Sequence, residues 1–193
     1  MAGSIDNFRS SFNTDLARPS RFDVTIPVPL SLASLKTSAR NLTFRCEMAQ
    51  LPGRTFETAQ KKLGSAPVEY FPYHNNYQQS QMTFIVSDDM NEKLFFDAWM
   101  ELINPTTTYN FEYKTTYATD ITVVQYNLQN QPTYSCILQE AFPIDVNQLD
   151  LEWSSVDSYH KLPVVFVYKQ WQNNSISNLR DTFIRNLITD IVT

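Results

Sequence analysis

The sequence contains few of the residues that mark nucleotide and metal sites. Only three glycines occur in 193 residues, although an average usage of roughly 7% would give about thirteen. Gly3, Gly53 and Gly64 are too far apart for a G-x-G-x-x-G or Walker loop, in which closely spaced glycines bring backbone N–H groups against phosphate. These two nucleotide-binding classes are therefore excluded.

Cysteine and histidine are equally scarce, with two of each in the chain. Cys46 and Cys136 form no C-x-x-C pair, and neither His74 nor His160 belongs to an H-E-x-x-H motif. A zinc site would need all of these residues together, whereas zinc ligands usually come as close pairs. We therefore expect no metal, no cofactor and two free cysteines that behave as small apolar residues. A disulfide between them stays open as an alternative.

Long apolar runs and an excess of basic residues are also missing. The longest apolar run, 164–167, is much shorter than the about 20 residues that cross a bilayer, and the N-terminus has no apolar stretch typical of a secretory signal. The formal net charge of −5 argues against a protein that grips nucleic acid through its phosphates. We expect a soluble chain with no membrane partner, made in the cytosol.

The residues that are present favour antiparallel strands. One helix is predicted over 94–103, after the capping residues of 87–89 and before Asn104-Pro105. Further along the chain, Ala141-Phe142-Pro143 is expected to end the strand predicted over 133–138. Apolar and polar residues alternate, with the period of two of a half-buried strand, in the segments 22–28, 42–48, 82–86 and 149–153. The segments 121–128 and 133–138 flank a turn at 129–132 and predict a hairpin, and the β-branched and aromatic run 162–171 has strand character.

Both ends of the chain carry apolar residues at helical spacing. Ile5, Phe8, Phe12 and Leu16 lie three or four residues apart, which predicts a short helix or an arm over 1–18. A similar spacing from Ile176 onwards predicts an amphipathic helix in a C-terminal extension, 172–193. One β domain, 19–171, is expected between them, since a chain of this length buries a core without disulfides.

The segment 54–81 is long for a connection within a compact domain, where about 4 to 6 residues are typical. It is polar and contains chain breakers, yet its aromatic content is too high for plain disorder. We expect an extended hairpin that packs against something outside its own domain. The candidate contact residues are Phe8, Phe12 and Leu16 in the arm, and Arg54, Phe56, Lys61, Lys62, Tyr70, Tyr73 and Tyr77 in the hairpin.

Residues that could support catalysis are few. A hydrolase would have to use His74 or His160 as its base. A glycosidase or a hard-metal site would need acidic residues, and the candidates lie at 88–89 and at Asp150 and Glu152. The simpler interpretation is that 88–89 begins a helix and that Asp150 with Glu152 forms the wet, solvent-exposed face of a strand. We expect no enzyme. A small hydrolase and a monomeric carbohydrate-binding or peptide-binding sandwich are the alternatives.

Apolar surface exceeds what one small domain readily covers. The strand segments 121–125 and 162–168 carry little of the charge or proline that protects exposed sheet edges. The arm, the segment 54–81 and the C-terminal helix add further apolar side chains. Together these features predict self-assembly.

Several spaced motifs resemble the tail tube protein of contractile-tailed bacteriophages. They follow one another in order over most of the chain. The motifs are Ala17-Arg18-Pro19, Phe22-x-Val24, Phe44-x-Cys46 with Leu51-Pro52, Phe96-Asp97-Ala98-Trp99, Pro143-x-x-Val146-x-x-Leu149-x-Leu151-x-Trp153 and Tyr168-x-x-Trp171.

The resemblance implies a mainly β fold, an antiparallel β-sandwich or β-barrel with a flanking α-helix, a long extended hairpin and a C-terminal helix. It further implies hexameric rings that stack into a tube inside a contractile sheath, with the genome passing through. The implied partners are other copies of the chain, the tail sheath protein, baseplate and tail terminator proteins, the tape measure protein and genomic DNA. The implied location is the tail tube of a virion, after synthesis in the host cytoplasm.

The residues after Trp171 depart from the commonest pattern of this family. A tube-like baseplate or tail-terminus protein, or a tube subunit of a phage-derived contractile injection system, is therefore the alternative. A ring of chains of formal charge −5 would be acidic and would keep DNA from sticking to its channel. By alternation alone, Asp150 and Glu152 are the candidates for the channel lining.

Overall fold

A computed structural model of the protein describes residues 5, 16–35, 42–154 and 157–174. The helical elements in these ranges include a 3-10 helix (Leu30–Leu35), α1 (Asn91–Ile103) and α2 (Lys114–Tyr117). The architecture is mainly antiparallel β with a flanking helix, which confirms the predicted fold class. The strands are β1 (Phe22–Thr25), β2 (Cys46–Ala49), β3 (Arg54–Lys61), β4 (Glu69–Tyr77), β5 (Ser80–Ile85), β6 (Thr119–Tyr126), β7 (Pro132–Val146), β8 (Lys161–Val167) and β9 (Gln170–Asn173).

Strand β7 joins the two halves of a seven-stranded sheet. The strand order is β1-β6-β7-β8-β5-β2, and β9 pairs with β7 as well. The first part of β7 pairs with β6 and β9, whereas its last residues pair with β8. Among the described residues no ladder links β1 to β2 at the two ends of the order, so the sheet is open and the fold is sandwich-like rather than a closed barrel.

Residue Glu140 marks the place where β7 changes partners. Its φ of 51° is uncommon for a residue other than glycine. The Glu140 N–H donates to Asp120 Oδ1 over 2.9 Å, and its carboxylate lies 2.9 Å from both Lys114 Nζ and Lys169 Nζ. Hydrogen bonds from these two lysines lower the pKa of Glu140. The expectation that 141–143 ends the strand is wrong, because β7 continues to Val146 and only its pairing partner changes.

Aromatic side chains of α1 form the centre of the core. Phe95, Phe96 and Trp99 are fully buried. The Phe96 ring centroid lies 5.1 Å from that of Phe84 on β5 and 6.1 Å from that of Phe166 on β8. The helix therefore covers the β5 and β8 part of the sheet, and the apolar spacing that predicted it reflects this burial.

The start of α1 is stabilised in a different way from the capping by residues 87–89 that the sequence predicts. The helix follows Met90, which has a left-handed φ of 52° and provides no side-chain cap. Instead, the buried Glu92 carboxylate accepts hydrogen bonds from the Ser87 N–H (2.8 Å) and Ser87 Oγ (2.7 Å) and pairs with Arg45. Burial raises the pKa of Glu92, but these bonds outweigh it, so the pKa lies below its ordinary value.

Two other strand predictions differ from the structure in their limits. The alternating segment 42–48 is helical up to residue 45 and becomes a strand only at Cys46. The run 162–171 is divided into β8 and β9, because the chain turns at 168–169 to pair with another part of β7. Alternation detects the apolar face of such segments and does not detect a change of partner.

The expectation of exposed edges along 121–125 and 162–168 is wrong. Strand β6 lies between β1 and β7, and β8 lies between β7 and β5. Strands β1, β2 and β9 each pair on one side in the described ladders, and each has 4 residues. Short edge strands are one of the ways in which proteins limit edge-to-edge pairing. The apolar surface that remains available lies elsewhere.

Parts of the predicted terminal segments fall outside the described residues. These include Phe8 and Phe12 of the arm, and the C-terminal extension beyond residue 174. Strand β9 continues to Asn173, so the last strand crosses the expected domain boundary after residue 171. The helices predicted for both termini stay predictions.

Candidate assembly surfaces

Strands β3 and β4 form a separate two-stranded hairpin. They pair from Arg54 opposite Tyr77 to Lys61 opposite Glu69, with a bulge after Glu57. Every residue of both strands is exposed, except Tyr77, which is half-buried. The 8 residues of β3 span about 26 Å at about 3.3 Å per residue. The extended hairpin predicted for 54–81 is confirmed over 54–77, whereas residues 80–81 already belong to β5 of the main sheet.

The hairpin carries aromatic side chains on the surface of the subunit. Phe56 is 55% exposed, and Tyr70, Phe71 and Tyr73 are also exposed. An isolated two-stranded hairpin is marginally stable in water, and several exposed aromatic side chains on one uncovered element are typical of an interaction surface. The structure brings the predicted contact residues Arg54, Phe56, Lys61, Lys62, Tyr70, Tyr73 and Tyr77 together on this one element. Their contacts with a neighbouring subunit stay a prediction.

Local contacts fix several hairpin side chains. The Arg54 guanidinium lies 4.8 Å from the centroid of the Phe56 ring and donates to Asn75 Oδ1 over 3.1 Å. Tyr73 Oη donates to Glu57 Oε2 over 2.7 Å, and this hydrogen bond raises the pKa of Tyr73. These contacts hold the side chains on a hairpin that lacks a covering layer among the described residues.

The base of the hairpin is attached to the last strands of the sheet. Trp171 Nε1 donates to the Gly53 carbonyl over 3.3 Å, and Tyr168 Oη donates to the Gln78 carbonyl. The rings of Tyr77 and Tyr168 have centroids 6.4 Å apart. Burial raises the pKa of Tyr168 to about 12, so this hydroxyl stays protonated and donates at neutral pH. The hairpin is therefore anchored at its base.

The loop between β7 and β8 forms a second exposed surface. Residues 149–153 are not a strand, so the interpretation of Asp150 and Glu152 as the wet face of a strand is wrong. Leu151 and Trp153 are exposed instead of buried. A groove of about 480 Å³ is lined by Asp150, Leu151, Glu152, Trp153, Ser158, Tyr159 and His160.

Sequence reasoning missed Leu151 and Trp153 as surface residues. Their alternation with Asp150 and Glu152 imitates a half-buried strand. The contrary signal is that 147–154 contains no valine, isoleucine or threonine, the β-branched residues that strands favour. The arm residue Leu16 is exposed as well.

The described residues offer little acid–base or metal chemistry. No three His, Cys, Asp or Glu side chains among them are grouped as a metal site. Both cysteines are free, and burial raises the pKa of Cys46 to about 12 and that of Cys136 to about 11. These thiols are therefore protonated at neutral pH and weakly nucleophilic. His74 lies on the exposed hairpin and His160 in the groove.

No helix within the part of the chain that the structure describes has the length and apolar character needed to cross a bilayer.

A search of curated protein sequences finds no match. The sequence profile described as phage tail tube protein matches residues 17–174, which is most of the chain. The chain belongs to the phage tail tube protein family. The resemblance carried by the spaced motifs is thereby confirmed.

Solved structures of contractile injection systems share the fold. A chain of the anti-feeding prophage baseplate aligns with a TM-score of 0.60 at 15% identity, over 83% of this chain and 96% of that one. A chain of the sheath/tube terminator of PVC, an extracellular contractile injection system, aligns with a TM-score of 0.60 at 12% identity, over 84% and 99%. A chain of the PVC sheath-tube complex gives 0.59 at 12%, over 86% and 96%. At identities this low, the similarity shows only that the tail tube family chain and these proteins share a fold.

Proposed function

We propose that the chain is a structural subunit of a contractile phage tail, in which hexameric rings stack into the inner tube and the genome leaves through it. The observation that carries the proposal is the exposed, aromatic hairpin of β3 and β4 in a member of the tail tube family. An element of this length with no covering layer among the described residues is suited to contact a neighbouring copy. The protein acts by assembly, without catalysis.

A tube-like baseplate or tail-terminus protein is the second candidate, together with a tube subunit of a phage-derived injection system. The observation that favours it is the likeness to chains from the anti-feeding prophage baseplate and the PVC tube terminator. In either case the proposed partners are the sheath, baseplate and terminator proteins. The tape measure protein and DNA would occupy the lumen of a virion tail tube, after synthesis of the subunit in the host cytoplasm.

An acidic channel follows from the net charge of the chain. With a formal charge of −5 per copy, a ring carries a negative potential that disfavours binding of DNA phosphates. The channel-lining role of Asp150 and Glu152 stays a prediction, and it loses the support of alternation because both lie in a loop. Tubes that retain DNA strongly at low salt would contradict the acidic channel.

Assembly of the purified full chain tests the proposed function. Negative-stain electron microscopy and sedimentation velocity over a range of concentrations should detect six-fold rings and, at high concentration, tubes. Long tubes would support the main tube role, whereas single rings that cap tubes would support the terminator role. A chain that stays monomeric at every concentration would overturn both candidates.

A further inference from the structure

The hairpin and the β7–β8 loop leave the sheet at opposite ends. Strands β5 and β8 pair from Ser80 opposite Phe166 to Ile85 opposite Lys161. The hairpin joins the sheet at Ser80, and the loop joins it at Lys161. The five residue steps between these ends correspond to about 17 Å of strand. Strand β4 lies between Ser80 and the tip of the hairpin, so the two surfaces adjoin opposite ends of the β5–β8 pair.

The hairpin tip, defined here as residues 61–69, is basic and apolar. The side chains of Lys61 and Lys62 have no ion-pair or hydrogen-bond partner among the described residues. Leu63 is 70% exposed, and Val68 is exposed on the other side of the turn. Glu69, opposite Lys61, is the only acidic residue of the tip. The tip therefore carries one net positive charge beside an exposed apolar group.

The acceptor loop, defined here as residues 147–154 and 157–160, has the complementary character. Asp150, Glu152 and Asp157 are its charged residues, and all are acidic and exposed. The groove in this loop is lined by the exposed side chains of Leu151 and Trp153. The nearest basic residue along the chain, Lys161, pairs with Glu47 at 2.6 Å and lies 5.2 Å from the centroid of the Tyr159 ring, and it has no ion pair with the three acidic side chains of the loop among the described residues.

We propose that the hairpin tip of one copy docks into the acceptor loop of a second copy, with Lys61 and Lys62 facing Asp150 and Glu152. Leu63 then packs in the groove beside Trp153. One chain provides both complementary surfaces at opposite ends, so the contact is head-to-tail and generates rings or filaments. The proposal rests on the proposed function, because it requires self-association. It competes with the channel-lining prediction for Asp150 and Glu152.

Charge reversal of each surface tests this docking in the full chain. The tip-reversed variant is Lys61→Glu with Lys62→Glu, and the loop-reversed variant is Asp150→Lys with Glu152→Lys. Each alone places like charges together, which should raise the concentration needed for assembly about tenfold or more. An equimolar mixture should restore assembly, because each tip then meets a loop of opposite charge on the other variant.

The matched control for the loop-reversed variant is Asp88→Lys with Glu112→Lys, which makes the same charge change at exposed positions that do not line the groove. It should assemble like the wild type. Sedimentation velocity, negative-stain microscopy and DNA retention provide the readouts, and thermal melting checks that each variant is folded. If the wild type forms tubes and a reversed variant assembles equally well, or if the mixture gains nothing, the docking proposal is overturned while the proposed function stands.

A loop-reversed variant that forms normal tubes and retains DNA would overturn the docking and support the channel-lining role. A wild-type chain that never assembles would overturn the docking together with the proposed function. Added salt provides an additional check, because it screens the attraction between the exposed charges of the tip and the loop. The Debye length is about 8 Å at physiological ionic strength and shortens as salt is added. The wild type should therefore need a higher concentration to assemble at high salt.

Discussion

Strands β4 and β5 are neighbours in the chain, separated by residues 78–79, yet they have opposite surroundings. In β5, Met82 and Phe84 are fully buried, and Phe84 lies against Phe96 of α1. In β4, Tyr70 and Tyr73 face solvent. Both strands are antiparallel and both carry large apolar side chains, so the difference arises from the covering helix. The comparison shows that aromatic content alone does not distinguish a buried strand from an exposed one, because burial depends on which elements the fold packs against the strand.

This contrast separates folding from assembly. A substitution in β5 removes contacts within one subunit and should lower its stability. A substitution in the hairpin leaves the subunit core intact and should change only contacts between copies. The expected effects on the free energy of unfolding therefore decrease from β5, through the start of α1, to the hairpin.

Phe84→Ala should have the largest effect. The side chain is fully buried and lies against Phe96, so its removal leaves a cavity in the core. We expect the free energy of unfolding to fall by about 3–5 kcal/mol, measured by urea denaturation followed by circular dichroism. A loss below about 0.5 kcal/mol, the range typical of exposed positions, would mean that α1 does not cover β5 in solution.

Glu92→Gln should have an intermediate effect that depends on pH. Replacing the charged acceptor of the Ser87 and Arg45 hydrogen bonds should cost about 1–3 kcal/mol at neutral pH. Because the folded-state pKa of Glu92 is lowered, its stabilisation is complete above the unfolded-state pKa of about 4.3 and is lost as the pH falls through the folded-state value. The stability difference between the wild type and the variant should therefore shrink at acidic pH.

The control for this prediction is Asp88→Asn, which removes an exposed carboxylate at the same end of α1. It should change stability by only a few tenths of a kcal/mol, about the size of an exposed helix-dipole interaction. Denaturant titrations between neutral and acidic pH provide the measurement. An equal stability difference between the wild type and Glu92→Gln at both pH extremes would contradict the ionised state of Glu92 in the fold.

Phe56→Ala should have the smallest effect on stability and a clear effect on assembly. Phe56 is 55% exposed on the hairpin, so the free energy of unfolding of the monomer should change by less than about 0.5 kcal/mol. Assembly observed by sedimentation velocity should be weakened, because an apolar contact between copies is lost. If the variant assembles like the wild type, Phe56 lies outside the contact between subunits.

Local patterns predicted the elements whose pairing is also local. The spacing of apolar residues identified α1, and the segment 121–138 was correctly predicted as a hairpin of β6 and β7. The extended hairpin followed from the combination of chain breakers and aromatic residues in 54–81. In each case the interacting residues are close in sequence, so composition and period contain the necessary information.

The order of strands and the character of the β7–β8 loop could not be predicted in this way. Whether β6 and β8 are interior strands depends on β1 and β5, which are distant in sequence. The ion pair of Arg45 and Glu92 joins two separate segments and has no sequence motif. For Trp153, the alternation of its neighbours suggested burial, whereas the absence of β-branched residues indicated a loop. Two local signals disagreed, and only the three-dimensional arrangement decides between them.

Strand β7 belongs to both halves of the sheet and changes partner at Glu140. A mechanical load that pulls the two halves apart is therefore borne by covalent peptide bonds, and the ladders on either side must shear before the subunit opens. Lys114 and Lys169 clamp the turning point from two directions through the Glu140 carboxylate. We expect a subunit built in this way to resist stretching as a single body, which would suit the proposed tube, whose bore has to persist while a surrounding sheath contracts.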